Sequence, residues 1–475
     1  ALEVQVPIPD LRLWSPDDPC LYGVALRYGH DVVHSYAAFR TVEVARDERG
    51  AFRFLLNGEP LFLRGVLDQG YWPDGLMTAP SDEALAFDVQ AMRDAGFNLL
   101  RKHLKVEADR WYYHCDRLGM LVWQDMVSGG GPLDAWTSSY KPTLLRRSWG
   151  AYADDTPRHR ERLSAGDERY REQWRAGCRE TVAYLADHPS VVTWVLFNEG
   201  WGQFDAAVAA AEVRAADPTR PVDAVSGWYD QRCGDFLSVH NYFRDLEVYP
   251  DDPARLVGEA ASRGGRAFVV SEFGGLALGV QDHMAYQELY GYDTYEDAAS
   301  WGAAVAASLA AADALEPAGL AGWVYTQLSD VEEEVNGILT YDRRVNKLTL
   351  ATEAVRRACA PQGEASSEGE PASVLAGPRE TGERAPRPDA AATLDPARDG
   401  GAPAPDEPGT GAAASDGPEA QRPSAAPLRR AAACASAGMA TLAARAAEGV
   451  REARETIESL RTPEVRVPRG KEQRP

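Results

Sequence analysis

Cysteine is scarce in this 475-residue chain: six residues, Cys20, Cys115, Cys178, Cys233, Cys359 and Cys434, with no C-x-x-C pair among them. That pattern excludes a zinc ribbon and a disulfide framework and leaves free thiols. No run of apolar residues reads as long enough to span a bilayer, so no membrane segment is expected. Positive charge is in deficit, with 50 Lys and Arg against 72 Asp and Glu and a formal charge of −22. Such a balance argues against nucleic-acid phosphates and anionic membrane surfaces as partners. A Walker A loop, a G-x-G-x-x-G turn, an H-E-x-x-H helix and a G-x-S-x-G elbow are all missing. No signal peptide is visible, but Ala1 is not an initiator methionine. The sequence therefore reads as trimmed or as a fragment, and cytoplasmic and secreted locations both stay open.

What is present is length enough for two or three domains and an apolar content, 44% hydrophobic with twelve Trp and nineteen Tyr, enough to bury a large core. One stretch organises the rest. Val191-Val192-Thr193-Trp194-Val195-Leu196-Phe197 is a β-branched run that ends abruptly in Asn198-Glu199-Gly200. A strand buried on both faces, as in a parallel sheet, has this composition. A carboxylate at its carboxyl end points to chemistry, because that end of a barrel strand is where catalytic side chains stand. Phe268-Val269-Val270-Ser271-Glu272-Phe273-Gly274 has the same character.

In chain order, residues 1–46 carry two or three short strands and read as the end of a β-sandwich domain. Residues 47–360 alternate strand and helix signals. Strands are expected at 61–66, 98–103, 121–126, 191–200, 222–226, 236–243, 267–273 and 319–327, with a long loop over 127–166. Eight strands alternating with helices over some 300 residues is the rhythm of an α/β fold of the (β/α)8 TIM-barrel kind, with a doubly wound sheet as the competing topology. Glu199 then closes the fourth strand and Glu272 the seventh. Residues 361–427 are rich in Ala, Pro, Gly and Glu and read as a disordered linker. Residues 428–475 hold a candidate helix and a disordered end.

Two acids at the ends of strands on opposite walls of one pocket are what glycosidic-bond cleavage requires. One protonates the leaving oxygen, and the other attacks the anomeric carbon or activates water. Asn198 is placed to hydrogen-bond a sugar hydroxyl. Tyr242 and Arg101 are candidates to keep the second carboxylate ionised, one by hydrogen bond and one by charge.

These residues resemble glycoside hydrolase family 2. Phe197-Asn198-Glu199-Gly200-Trp201 is similar to the family's acid/base motif, and Ser271-Glu272-Phe273-Gly274 to its nucleophile motif. Asn57-Gly58-Glu59-Pro60 through Arg64-Gly65-Val66 resembles the strand that opens the family's barrel, and Asn98-Leu99-Leu100-Arg101-Lys102-His103 its second strand. Leu13-Trp14-Ser15-Pro16 and Phe39-Arg40-Thr41 resemble the end of the immunoglobulin-like domain that precedes it. The resemblance implies a retaining exo-acting β-glycosidase, β-galactosidase-like, with Glu199 as acid/base and Glu272 as nucleophile. It implies sugar contacts from Asn198, His103, Tyr242 and Trp323, the last stacking under a pyranose ring. Asp125, closing the third strand, becomes a hydroxyl ligand or an anchor for its neighbours. Asp68 and Trp72, after the first strand, line the pocket or belong to an ordinary polar loop. Double displacement needs no cofactor and no metal, and the partner implied is a carbohydrate, with homo-oligomers left open.

The pattern departs from the family in two places. The jelly-roll domain that normally opens these enzymes is expected to be missing from this sequence. The Asn-x-Lys with which the family's glucuronidases grip a sugar carboxylate corresponds to Val335-Asn336-Gly337-Ile338-Leu339, without lysine. A neutral sugar is therefore expected, with Lys102 or Lys105 as the alternative cation. The rivals are a β-mannosidase or β-glucuronidase, and, in another class, a truncated carbohydrate-binding fragment without activity.

Overall fold

The computed structural model describes residues 5–359 apart from 147, 148, 151, 288 and 290. The expectations for residues 361–427 and 428–475 lie outside the described residues. Strands β1 (Tyr22–Tyr28) and β2 (Asp31–Ala37) form an antiparallel pair turning at Gly29 and His30. Strands β3 (Val42–Arg46), β4 (Phe52–Leu56) and the two-residue β5 (Glu59–Pro60) form a second antiparallel sheet. The boundary expected at residues 46 and 47 falls inside this hairpin, whose strands pair from Val42↔Leu56 to Arg46↔Phe52.

Eight parallel strands then make one sheet. They are β6 (Leu63–Asp68), β7 (Leu99–Lys102), β8 (Leu121–Asp125), β9 (Val191–Val195), β10 (Val222–Asp223), β11 (Phe236–Asn241), β12 (Ala267–Gly274) and, after the short pair β13 (Leu276–Leu278) and β14 (Asp293–Tyr295), β15 (Leu320–Thr326). Their spatial order, β10-β9-β8-β7-β6-β15-β12-β11, brings the last strand beside the first through Gly322↔Leu63. This is the barrel expected, closed by ladders everywhere except between β10 and β11. There Asp235, just before β11, substitutes for a ladder: its N–H donates to Val222 O at 2.8 Å and its carboxylate accepts the Val222 N–H at 2.6 Å.

The helices cover the outside. In α1 (Asp82–Asp94), Ser81 Oγ accepts the Ala84 N–H, acids fill the first turn, and Leu85, Val89 and Met92 face inward at helical spacing. Helix α2 (Asp109–Leu118) stops at Gly119, which takes the left-handed conformation glycine favours. The stretch expected as one long loop, 127–166, instead holds a π-helical turn (Trp136–Tyr140) and two short helices, α3 (Lys141–Leu144) and α4 (Pro157–Arg162), the last capped by Thr156. Its glycines mask helical periods too short to read. Helices α5 (Glu168–Leu185), α6 (Ala206–Ala216), α7 (Gly258–Arg263), α8 (Ala298–Asp313) and α9 (Lys347–Cys359) complete the layer. No helix is described between β10 and β11, so the strict alternation fails once. The connecting segment is held instead by Asp230, whose carboxylate pairs with Arg266 at 2.6 and 2.9 Å. One further correction concerns apolar length. The segment Ala298–Ala318 is, by length and composition alone, apolar enough to cross a membrane. It is mostly alanine, which weakens the signal in a residue-by-residue reading. In the fold it packs Trp301 and Val305 into the layer outside the barrel.

The core has two parts. One lies between barrel and helices. The other fills the barrel with Leu63, Leu67, Leu99, Leu121, Trp123, Val192 and Val269, and runs on to Trp14, Val44, Phe54 and Leu56. The β3–β4 hairpin thus plugs the amino-terminal mouth, where Arg53 donates to Glu316 O at 2.8 Å and to Leu320 O at the start of β15. Trp14 is fully buried and its indole N–H reaches Asp116 O at 2.7 Å. Trp14→Ala is expected to cost about 3–5 kcal/mol of unfolding free energy, read by urea titration. With one mouth plugged, only the carboxyl ends of the strands are open to a ligand.

Candidate active site

Two strand ends carry the acids. After β9 the chain leaves the ladder, bridging Asn198 to Ser226, and the Glu199 N–H donates to Ser226 O at 2.9 Å. Glu199 itself has φ of 51°, a conformation a non-glycine residue holds only where its surroundings impose it. The turn aims its carboxyl into the open mouth. Glu272 sits within β12, flanked by irregularities: the register slips between Val239 and His240 on one side and between Val270 and Phe273 on the other. The slip sets His240 directly opposite Glu272.

Arg101 on β7 ties these groups together. Its Nε and one Nη bond the two oxygens of Asp125 at 3.0 Å each. The same Nη donates to Asn198 Oδ1 at 2.8 Å, and the other to Glu272 Oε1 at 3.0 Å and Ser271 O at 3.2 Å. All five guanidinium donors are used, which is what allows a fully buried cation to stand in a barrel core. Burial pushes the Asp125 carboxyl up, but Arg101 and His103, whose Nδ1 lies 3.2 Å away, hold it below its ordinary value.

His240 faces both acids. Its Nδ1 lies 2.8 Å from Glu199 Oε1 and 3.5 Å from Glu272 Oε2. Its Nε2 lies 2.9 Å from Ser226 Oγ and 3.4 Å from an Arg101 nitrogen, which can only donate. The ring therefore accepts at Nε2 and donates from Nδ1. Burial drives its pKa down to about 3, with Arg101 and His103 adding and Glu272 opposing, so it stays neutral. Gly227, with φ of 94°, makes this placement possible: a Cβ there would stand 2.8 Å from His240 Nδ1. Burial raises Glu199 to about 7 against the pull of His103 and Arg101. Glu272 has different company, accepting from Arg101 at Oε1 and from the Tyr242 hydroxyl at Oε2, 2.6 Å away. Burial keeps that phenol protonated far above its usual range, and Thr326 Oγ1 anchors it at 2.8 Å. Atoms of Glu199, His240 and Glu272 lie within 4.8 Å of one another, close enough to suggest a metal site. With Nδ1 carrying the proton given to Glu199, however, His240 has no lone pair to offer there.

Of the residues singled out from the sequence, the structure gathers Glu199, Glu272, Asn198, Arg101, His103, Asp125 and Tyr242 in one mouth. It does not bring Trp323, Asp68 or Trp72 there. Trp323 lies on the outer face of β15, edge-on to Phe97 and Phe273, with its indole N–H on Asp313 at 2.9 Å. Asp68 turns to the helix side, where Lys102 Nζ reaches it at 2.8 Å; Trp72 lies under the Arg343 guanidinium. The cations weighed for a sugar carboxylate, Lys102 and Lys105, are likewise spent on Glu107, at 3.1 and 2.7 Å. Sequence reading missed His240 and Ser226, whose only signal was a polar residue at a strand's carboxyl end. It also missed Glu334, whose partner Gln69 is 265 residues away in the chain and whose other partner, Gln327, is seven.

The family model described as "Glycosyl hydrolases family 2, TIM barrel domain" matches residues 49–355. A putative beta-glucuronidase of Formosa agariphila is 27% identical over 223 residues, 46% of this chain and 18% of that protein. A beta-galactosidase of Pectobacterium atrosepticum is 28% identical over 247 residues, 50% of this chain and 20% of that protein. A beta-mannosidase of Capra hircus is 25% identical over 281 residues, 55% and 25%. The chain thus spans about a fifth to a quarter of the length of these relatives. Among solved structures, the GH2 beta-galacturonidase of Eisenbergiella tayi bound to galacturonate superposes with a TM-score of 0.51 at 18% identity, covering 75% of this chain and 60% of that one. The beta-D-glucuronidase of Dictyoglomus thermophilum gives 0.51 at 17%, covering 74% and 59%. At these identities the likeness concerns the fold.

Proposed function

The chain belongs to glycoside hydrolase family 2, and from that premise we propose that it is a retaining, exo-acting β-glycosidase for a terminal neutral sugar. The observation that carries the mechanism is the pairing of two carboxyls, with one oxygen of each within 4.8 Å of the other, in opposite environments. Retaining enzymes keep their carboxyls about 5–5.5 Å apart, whereas inverting ones leave room for a water between them at about 6.5–9.5 Å. Glu272, ion-paired to Arg101 and hydrogen-bonded by Tyr242, attacks the anomeric carbon. As that bond forms, the glycosidic bond breaks and its electron pair leaves with the aglycone oxygen, which takes the proton of Glu199. Glu199, now a carboxylate, removes a proton from water. The hydroxide equivalent displaces Glu272, releasing the sugar with its anomeric configuration retained. His240, donating from Nδ1, holds the Glu199 carboxyl in line through both steps. Asn198, fixed by Arg101, and His103, fixed by Asp125, are left to bind hydroxyls.

The cations support the neutral sugar. Arg101 has no donor to spare, and Lys102 and Lys105 are paired behind the strand. The second reading is a uronide, because relatives named for glucuronidase and galacturonidase activity share the barrel. A panel of nitrophenyl β-glycosides (galactoside, mannoside, glucoside, arabinoside, glucuronide and galacturonide) separates the two; a strong signal on uronides alone would overturn the neutral-sugar reading.

The protonation of Glu199 sets a pH limb. A general acid works in its protonated form, so kcat/KM on an alkyl β-glycoside is expected to hold below about pH 7 and fall roughly tenfold per pH unit above it. The limb is expected to vanish in Glu199→Gln with a nitrophenyl leaving group, which needs no proton. A limb that stays in that variant would assign it to another group.

A further inference from the structure

The open mouth holds a third carboxyl that the double displacement does not use. Glu334 lies half-buried in the segment after β15. Its Oε2 accepts from Gln327 Nε2 at 2.7 Å and from Gln69 Nε2 at 3.3 Å, while Gln69 also donates to Gln327 Oε1 at 2.9 Å. Gln327 directly follows Thr326, whose hydroxyl meets Tyr242, which in turn meets Glu272. Hydrogen bonds on either side of the Thr326–Gln327 peptide bond therefore link Glu334 to the proposed nucleophile.

Its partners set it apart from nearby carboxylates. Asp330 pairs with Lys347 at 2.6 Å, Asp88 with Arg343 at 3.2 Å and Asp342 with His283 at 2.8 Å. Among the described residues Glu334 has amide partners only, and they all fall on Oε2. Two amides orient the group without neutralising it, and Oε1 is left to a ligand. An acceptor held this way, within electrostatic reach of Glu272 and His103, suits sugar hydroxyls, which donate, and opposes a second carboxylate, which cannot.

We propose that Glu334 is a specificity-determining residue of this pocket, accepting hydrogen bonds from hydroxyls of a neutral terminal sugar and turning uronic acids away by charge. The inference rests on the glycosidase reading above and names the residue that selects its substrate class. Like charges a few ångströms apart in a poorly screened mouth repel enough to shift relative affinity by ~10-fold or more. The repulsion is itself pH-dependent. Burial raises Glu334 to about 7, with Glu333 and Glu272 adding and Gln327 and His103 opposing. These are the charged and titratable groups that bear on it from its own segment, from β12 and from the end of β7. Below that pH the protonated group can donate to a uronate; above it the carboxylate repels one. Preference for neutral sugars over uronides is therefore expected to rise with pH through about 7. Glu199 titrates in the same range but serves both substrates, so its effect cancels in the ratio.

The test compares kcat/KM for the preferred neutral nitrophenyl glycoside and its uronide counterpart in wild type and Glu334→Gln, from about pH 6 to about pH 8. The expected result is a uronide-to-neutral ratio at least ~10-fold higher in the variant at pH 8, with the pH trend of the ratio flattened. An unchanged ratio with an unchanged trend overturns the inference. Should the variant fail to fold, the wild-type trend decides, and a flat ratio overturns it. Should wild type turn over neither substrate, the glycosidase reading fails separately. The inference is then read from melting shifts given by a neutral 1-deoxy iminosugar and its 6-carboxylate counterpart: a difference confined to wild type supports it, and equal shifts in both proteins refute it.

Discussion

Glu272→Gln is expected to lower turnover of the preferred β-glycoside by ~10⁴-fold or more while the melting temperature moves by only a few degrees. The amide keeps the shape of the side chain and an oxygen for Arg101, so the barrel has little reason to change. It cannot form the glycosyl ester, so the first displacement has no nucleophile. A carboxylate flanked by Arg101 at 3.0 Å and Tyr242 at 2.6 Å could instead be structural. Rate and melting curves separate the two roles: a variant that melts early but keeps its specific activity would make Glu272 a structural anion.

Arg101→Met is expected to be the most damaging single change to the fold of the site. It leaves Asp125, 1% exposed, and Glu272, 5% exposed, without their buried cation. Breaking a buried ion pair from one side costs about 3–5 kcal/mol, visible as a large drop in melting temperature with activity abolished. Lysine is not a rescue, since three donors on a point charge cannot replace five in a fixed fork. The sign with pH is also fixed. Asp125 is held below its ordinary value in the fold, so the stability it draws from Arg101 is present above the unfolded carboxylate pKa of ~3.9 and lost as pH falls through the lower folded value. The gap between wild type and Arg101→Met should accordingly be widest near neutrality and shrink in acid. A gap independent of pH would mean that packing, not charge, accounts for the loss.

How far the molecule could be read from its residues follows from what each signal reports. The strands of the barrel were legible because burial on both faces leaves continuous apolar runs, and the runs ending in Asn198-Glu199 and Ser271-Glu272 showed where the polar mouth begins. Arg101, Asp125 and Tyr242 were legible for the same reason, as polar groups at strand ends. The direction of a side chain in a strand buried throughout was not. Every residue of β15 is buried, so nothing in its pattern separates Trp323, facing the helices, from its inward-facing neighbours. Asp68 misled for a related reason: it ends a strand, but on the helix side, where Lys102 takes it up. Glu334 was lost in the run Glu332-Glu333-Glu334, which reads as a solvated loop until Gln69 arrives from 265 residues away. His240 showed only as a polar residue near a strand's carboxyl end, because its role comes from a register slip that no local pattern announces.

Gly227 has a bearing on how such a site is inherited. The imidazole beside Glu199 occupies space that exists because residue 227 has no side chain, and any replacement brings a carbon to within 2.8 Å of the nitrogen that faces the acid. Mutational drift at this position is therefore closed in every direction, although the residue touches no substrate and supplies no functional group. Part of the site's design is stored as a vacancy, and a lineage could lose the acid's alignment there while every acid, base and cation of the pocket remained in its gene.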